Sequence, residues 1–180
     1  MAQNVNPYMS EQTNHHTKQN GDPVPKSSDN HAVSKRLQKE LMILMMSPDK
    51  SVSAFPEGDN LFRWIGTING PKDSAYEGLS YKLHLEFPSS YPYTAPNVKF
   101  ISPVFHPNVD TKGHICLDIL KDNWSALYDV RSLLLSIQSL LAEPNIKSPL
   151  NTLAAEMWKN QQMFKTHVLD TFNDKSDNIE

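Results

Sequence analysis

The chain is poor in the residues that mark several large protein classes. It has one cysteine in 180 residues, so an intramolecular disulfide is impossible and no CxxC pair stands ready to hold zinc. A secreted disulfide scaffold and a cysteine-based zinc finger are thereby excluded. Basic residues number 17 against 20 acidic ones, a formal charge of -3, and no Lys/Arg tract breaks that balance. This argues against a nucleic-acid binder or a polybasic membrane module. No apolar run approaches the ~20 residues of a membrane span, and the opening MAQNVNPYMS lacks an apolar signal core. The expected location is cytoplasmic and nuclear. What is present is apolar sequence, 38% of the chain, sufficient for one domain. A core of ~150 residues buries about 70% of its unfolded surface and needs no staple.

Residues 1–30 are rich in Asn, Gln, Ser, His and Pro, and their few apolar side chains follow no period. They read as a disordered arm. Its His15 and His16 have no further His or Cys at metal-ligand spacing, so no metal is expected. The core domain is expected over 31–173, with a frayed tail at 174–180. From His31 onward Val33, Leu37, Leu41, Leu44 and Met45 recur at helical spacing, with Asp29 or Asn30 available as N-cap. Lys35, Arg36 and Lys39 fall on the opposite face, either as a solvated stripe or as a docking surface for an acidic partner.

Turn formers at 47–60 read as a loop. Beyond it, 61–68 and 98–101 read as strands, and Tyr81, Leu83, Leu85 and Phe87 alternate with Lys82, His84 and Glu86 as a half-buried strand. The proline-punctuated FPSSYPYTAP between them is expected to be extended. With no crossover helix available, three strands favour an antiparallel meander. His84 falls on the polar face. After a long loop, Val130, Leu133, Leu134, Ile137, Leu140 and Leu141 form a wide apolar stripe, preceded by Asp129 and stopped by Glu143-Pro144. Ala154, Ala155, Met157 and Trp158 suggest a third helix, and Phe164, Val168 and Phe172 a fourth. The fold class is α+β.

The loop at 102–129 carries the chemistry. It holds Cys116 among polar neighbours, and a thiolate there is a candidate nucleophile, against the alternative of a small buried hydrophobe. Asn108 stands eight residues earlier, close enough for its amide to fold back over the sulfur. A papain-like hydrolase would need an imidazole base as well, and His84, His106 and His114 are the candidates. His106, followed by Pro107, reads better as a rigid turn with a structural imidazole. Asp118, if close, disfavours a thiolate. A thiol without a base suits exchange with an already activated thioester, which is nearly isoenergetic.

The segments HPNV, GHICLDIL, WSALYDV, LLAEPN and SPLN, in that order and spacing, resemble the ubiquitin-conjugating enzymes over about 31–172. KRLQKELM, SAFPEGDNLFRW and CLDILKDNWSALYDVRSLLLSIQSLL are similar to subfamily C in particular, whose members work with the anaphase-promoting complex in mitosis. The resemblance implies the UBC fold: an N-terminal helix, a four-stranded antiparallel meander, a long active-site loop and three further helices. The fourth strand would then be a short one at 104–106.

It also implies roles. Cys116 matches the acceptor of the ubiquitin thioester. Asn108 matches the HPN asparagine, either an oxyanion donor worth about 10²- to 10³-fold in rate or a brace for the loop. His106 and Pro107 are architectural. Ser148 falls where many members carry an acidic residue near the thioester, and Ser148 and Asp118 are candidates to assist beside it. Lys35, Arg36 and Lys39 match the face used by the activating enzyme, while Tyr93, Ser125, Ala126 and Leu127 match the two loops gripped by RING-type ligases. Tyr91 and Trp124 belong to the core. Arg131-Ser132-Leu133-Leu134 fits the short RxxL degron pattern inside a helix. Ala142 replaces a glycine usual before Glu-Pro-Asn in this subfamily, and Val104 stands where close relatives often carry a second cysteine.

The implied partners are ubiquitin, its activating enzyme, a RING-type ligase (the anaphase-promoting complex) and protein substrates, with the chain itself a monomer. No cofactor is implied, since ATP is used by the upstream activating enzyme. Two alternatives differ in class: a catalytically silent ubiquitin-binding module of the same fold, and a cysteine hydrolase using Cys116 with His106 or His114.

Overall fold

The computed structural model describes residues 27–174. The arm up to residue 26, with His15 and His16, and the last six residues lie outside them. Helix α1, Ser27–Met46, is followed by strands β1, Val52–Glu57, β2, Asn60–Asn69, β3, Ser80–Glu86, and β4, Asn97–Phe100. Helices α2, Val130–Ala142, α3, Thr152–Met157, and α4, Gln161–Asp174, complete the chain. The four strands pair antiparallel in sequence order.

Period-2 burial orients the sheet. Val52 and Ala54 of β1, Trp64 and Ile68 of β2, Tyr81, Leu83 and Leu85 of β3, and Val98 and Phe100 of β4 are all buried, so one face carries the core. Helix α2 lies against it with Val130, Leu133, Leu134, Ile137 and Leu141 buried. Its start is fixed by a capping box. The Asp129 side chain accepts from the Ser132 amide, and Ser132 Oγ accepts from the Asp129 amide. Its end needs no glycine, because the cap residue Glu143 has φ -129° and donates its amide to Ser139, which accommodates Ala142. The degron-like tetrapeptide is sealed into this helix, with Leu133 and Leu134 fully buried.

Four expectations are corrected. The segment taken as a loop at 47–60 contains β1, an edge strand whose Pro56 sits beside a register shift at Pro56/Glu57, where a missing N–H is tolerated. The fourth strand of the meander is therefore β1, and 104–106 is not a strand. The segment at 88–94 is coiled into consecutive turns, with the amides of Tyr91, Tyr93 and Thr94 reaching back to Pro88 and Ser90, and is not extended. Helix α1 begins at Ser27, so Asp29 and Asn30 lie inside it and do not cap it.

The buried stripe of α1 is Val33, Leu37, Glu40 and Leu44, while Met45 is 60% exposed. Glu40, three residues after Leu37 and four before Leu44, shares their face by helical spacing. Its carboxylate accepts from Tyr91 Oη at 2.8 and 2.9 Å and from the Val130 amide at 2.8 Å, and it pairs with Arg36. Burial first, and then the Glu40 carboxylate, push the Tyr91 phenol well above its ordinary pKa, so it stays a donor. The buried charge is thus held by three elements at once.

Candidate active site

The long loop is built as a two-stranded tongue. Val109 bridges Ile115, His114 bridges Lys99 of β4, and the Cys116 amide donates to the Asn108 carbonyl at 2.8 Å. Between the two arms, Asp110 Oδ1 accepts from the amides of Lys112 and His114. The turn closes on Gly113 at φ +86°. A Cβ there would collide with the Phe100 carbonyl oxygen, to which no larger residue can give way.

His106 is fully buried. Its Nε2 lies 2.8 Å from the Leu140 carbonyl, which can only accept, so Nε2 carries the proton; Nδ1 accepts the Asn108 amide at 2.9 Å. Burial lowers its pKa from 6.5 to about 4, against the opposing pull of the Leu140 carbonyl. Both nitrogens of this neutral ring are committed, so it cannot serve as the base of a hydrolase. His114 is exposed and its Nδ1 pairs with Asp110 at 2.9 Å. His84 lies on the outer face of the sheet, beside Glu57 and Arg63.

A second loop, 143–151, is latched onto the first. Pro107 accepts at its carbonyl from the amides of Leu150, at 2.8 Å, and Asn151, at 3.0 Å. The Asn108 carboxamide clamps Asn145 at two points: Nδ2 donates to its carbonyl and Oδ1 accepts its amide, each at 2.8 Å. The structure therefore shows Asn108 as a brace between the loops, with one Nδ2 hydrogen still uncommitted to that clamp. Ser148 is exposed on the latched loop.

Cys116 Sγ is half-buried at the mouth of these loops. The polar group placed against it is Lys121 Nζ, at 3.7 Å. The Asp118 carboxylate is engaged within its own turn. Its Oδ1 accepts the Ile119 amide and its Oδ2 accepts Asn123 Nδ2, so it braces the one-turn 3-10 helix Asp118–Leu120. Sequence reasoning missed Lys121 and Asn145. The signals were present in the EPN tripeptide and in a lysine one tight turn beyond the cysteine, but neither has a periodicity to flag it.

Of the docking candidates, Tyr93 is 83% and Leu127 92% exposed, with Ser125 and Ala126 half-buried beside Leu127. Their loops are joined from below. Trp124 Nε1 donates to the Pro92 carbonyl at 2.8 Å, and the Tyr91 and Trp124 rings lie 6.1 Å apart. Lys35 and Lys39 are exposed on α1. Arg36 is not a free member of that stripe. It is half-buried, paired with Glu40, and donates to the carbonyls of Tyr128 at 2.8 Å and Ala126 at 3.3 Å. A guanidinium with five donors suits this bridging position. Among the described residues no group of three or more His, Cys, Asp or Glu side chains could hold a metal ion, and no helix is long and apolar enough to cross a membrane.

A half-buried thiol on a braced loop, with no imidazole hydrogen-bonded to it among the described residues, suits acyl exchange better than hydrolysis. The comparisons point the same way. The family model described as ubiquitin-conjugating enzyme matches residues 36–171. The "Ubiquitin-conjugating enzyme E2-20 kDa" of Schizosaccharomyces pombe is 54% identical over 151 residues, covering 83% of this chain and 86% of the relative. The "Ubiquitin-conjugating enzyme E2 1" of Caenorhabditis elegans is 47% identical over 135 residues, covering 74% and 70%. Among solved structures, a ubiquitin-conjugating enzyme E2 domain of Toxoplasma gondii superposes with a TM-score of 0.71 at 39% identity, covering 77% of this chain and 96% of that one.

The chain belongs to the ubiquitin-conjugating enzyme family. It is an α+β protein of the UBC fold, and its partners by family are ubiquitin, an activating enzyme and a ligase.

Proposed function

We propose that Cys116 takes the C-terminal carbonyl of ubiquitin from the activating enzyme as a thioester and passes it to substrate lysines with a RING-type ligase, the anaphase-promoting complex, during mitosis. The observation that carries the reading is the half-buried sole thiol on a loop braced from two sides. Incoming ubiquitin is already a thioester, so the sulfur needs position more than proton transfer. Outgoing transfer puts an oxyanion on the carbonyl, and Asn108 serves that step by fixing the 143–151 loop beside it. Ser148, an exposed hydroxyl on the latched loop, contributes at most a neutral hydrogen bond where a carboxylate would stand.

Tyr93 and Leu127, with Ser125 and Ala126, form the ligase surface. Two exposed apolar side chains on loops pinned from below suit a modest, transient interface. Lys35 and Lys39 form the activating-enzyme surface, with Arg36 holding α1 to the second ligase loop. The mitotic ligase is favoured by the resemblance of KRLQKELM and CLDILKDNWSALYDV to subfamily C. On this reading the protein works as a monomer in cytoplasm and nucleus, binds no cofactor, and leaves ATP to the activating enzyme.

Incubation with activating enzyme, ATP and ubiquitin is expected to give one reductant-sensitive adduct, absent from Cys116→Ala. An adduct that survives in Cys116→Ala, or none in either protein, overturns the assignment.

A further inference from the structure

Ser-Pro dipeptides stand at three places in the chain, Ser47-Pro48, Ser102-Pro103 and Ser148-Pro149, and the residues three beyond each serine are Lys50, Phe105 and Asn151. A proline-directed serine/threonine kinase reads a proline directly after its acceptor and a basic residue three after it. Ser47-Pro48-Asp49-Lys50 alone meets both requirements. We propose that Ser47 is a phosphorylation site for a kinase of that class, and that its phosphate is held by Arg131, tying the end of α1 to the first turn of α2.

The fold supplies access and a receptor. Ser47 follows Met46, the last residue of α1, and lies before β1. Pro48, Asp49 and Lys50 are exposed, as are Met45 and Met46. The last turn of α1 can therefore open into a kinase groove while buried Leu44 stays in the core. Ser47 Oγ accepts from Arg131 Nε at 3.2 Å and donates to the Asp49 carbonyl at 3.2 Å. Arg131 Nη2 reaches Asp49 Oδ2 at 3.4 Å. Phosphate oxygens would stand just beyond Oγ, and a guanidinium has further donors for them without releasing Asp49.

The surrounding charges decide whether a phosphate is captured or expelled. The Asp49 carboxylate and the carbonyl end of α1 oppose a dianion. Arg131 favours it, as does the amino end of α2, where Arg131 is the second residue. Lys50 adds a third favourable charge, with its amine already at the end of α1, 3.1 Å from the Met45 carbonyl. A forked, charge-assisted contact between guanidinium and phosphate outweighs the screened pull of one helix end, so the phosphate is captured.

In the transfer, Ser47 Oγ attacks the γ-phosphorus of ATP. The Oγ–P bond forms and the bond from that phosphorus to the β,γ-bridging oxygen breaks. The hydroxyl proton passes to the kinase's base and ADP leaves.

The test incubates the full chain with ATP and a purified cyclin-dependent kinase, maps the product by mass spectrometry, and titrates the phosphoprotein by phosphorus NMR. Expected is phosphate on Ser47, formed about fivefold more slowly in Lys50→Ala. The second ionisation of a phosphoserine ordinarily falls at about pH 6. Beside Arg131 it is expected at a pH about 0.5 or more below that of phosphorylated Arg131→Gln, with Arg131→Lys in between because it keeps the charge without the fork. Urea unfolding of each unmodified variant establishes that it is folded, and either variant is sufficient for the comparison.

No phosphate at Ser47, or phosphate at Ser102 or Ser148 alone, overturns the site. An unchanged rate in Lys50→Ala overturns its recognition through the basic residue, and the same ionisation with and without Arg131 overturns the capture. Neither readout involves ubiquitin, so each of these failures leaves the carrier reading intact.

Discussion

His106 shows how a residue with evident chemical potential is spent on architecture. Its ring is fully buried, donates from Nε2 to Leu140 and accepts at Nδ1 from Asn108. It thereby ties the end of α2 to the start of the active-site loop. Protonation would turn Nδ1 from acceptor to donor against the Asn108 amide, and burial lowers the pKa from 6.5 to about 4. The sign follows from linkage. Below pH 6.5 the unfolded chain binds a proton that the folded one refuses, so stability falls as pH falls from 6.5 towards 4. Between pH 7 and pH 5 this amounts to about 2 kcal/mol. Denaturant unfolding at the two pH values is expected to show that loss in the wild type and a correspondingly flatter dependence in His106→Gln. Equal slopes would contradict the buried neutral ring. The HP dipeptide made the structural role legible in the sequence, but the partner Leu140, 34 residues away, was not.

Among the elements, α1 is held to the rest of the fold through a polar core that hydrophobic periodicity passes over. Counting apolar residues alone picks Met45 and skips Glu40, although 33, 37, 40 and 44 are the positions that face inward. The buried carboxylate joins α1 to Tyr91 in the turn segment and to the first amide of α2. Arg36 carries the link on to 126 and 128, below exposed Leu127. Tyr91→Phe removes one hydroxyl and leaves Glu40 short of a donor. The expected cost is about 1–3 kcal/mol, more than a surface hydroxyl would give, read as a lower denaturation midpoint. A change within error would show the network to be dispensable.

The strands were legible in proportion to their alternation. Strand β3 buries Tyr81, Leu83 and Leu85 on one side, as its pattern requires. Edge strand β1 was not, because Pro56, Gly58 and Asp59 are turn formers that an edge position and its following turn can absorb. The prolines of 88–96 likewise signal a break in regular structure without saying whether the chain extends or turns.

At the scale of the whole molecule, one sheet face with α1, α2 and α4 builds the core, and the loops beyond β4 carry the thiol. The single cysteine excludes disulfides and cysteine zinc sites from composition alone, and in the fold it becomes the one thiol at the mouth of two latched loops. The motif strings single out Cys116 and Asn108 as candidates. They did not show that Asn108 spends its amide on Asn145, or that Lys121 lies against the sulfur, because both depend on how loops close.

On the function proposed, this site carries an acyl group to amines and does not hydrolyse it. The direct measurement is the fate of the preloaded thioester after ATP is removed, in buffer and with free lysine added. With no imidazole hydrogen-bonded to the thiol among the described residues, a carrier is expected to show slow loss in buffer, acceleration in proportion to lysine, and ubiquitin recovered as its lysine adduct. Rapid release of free ubiquitin at a rate indifferent to lysine would contradict it.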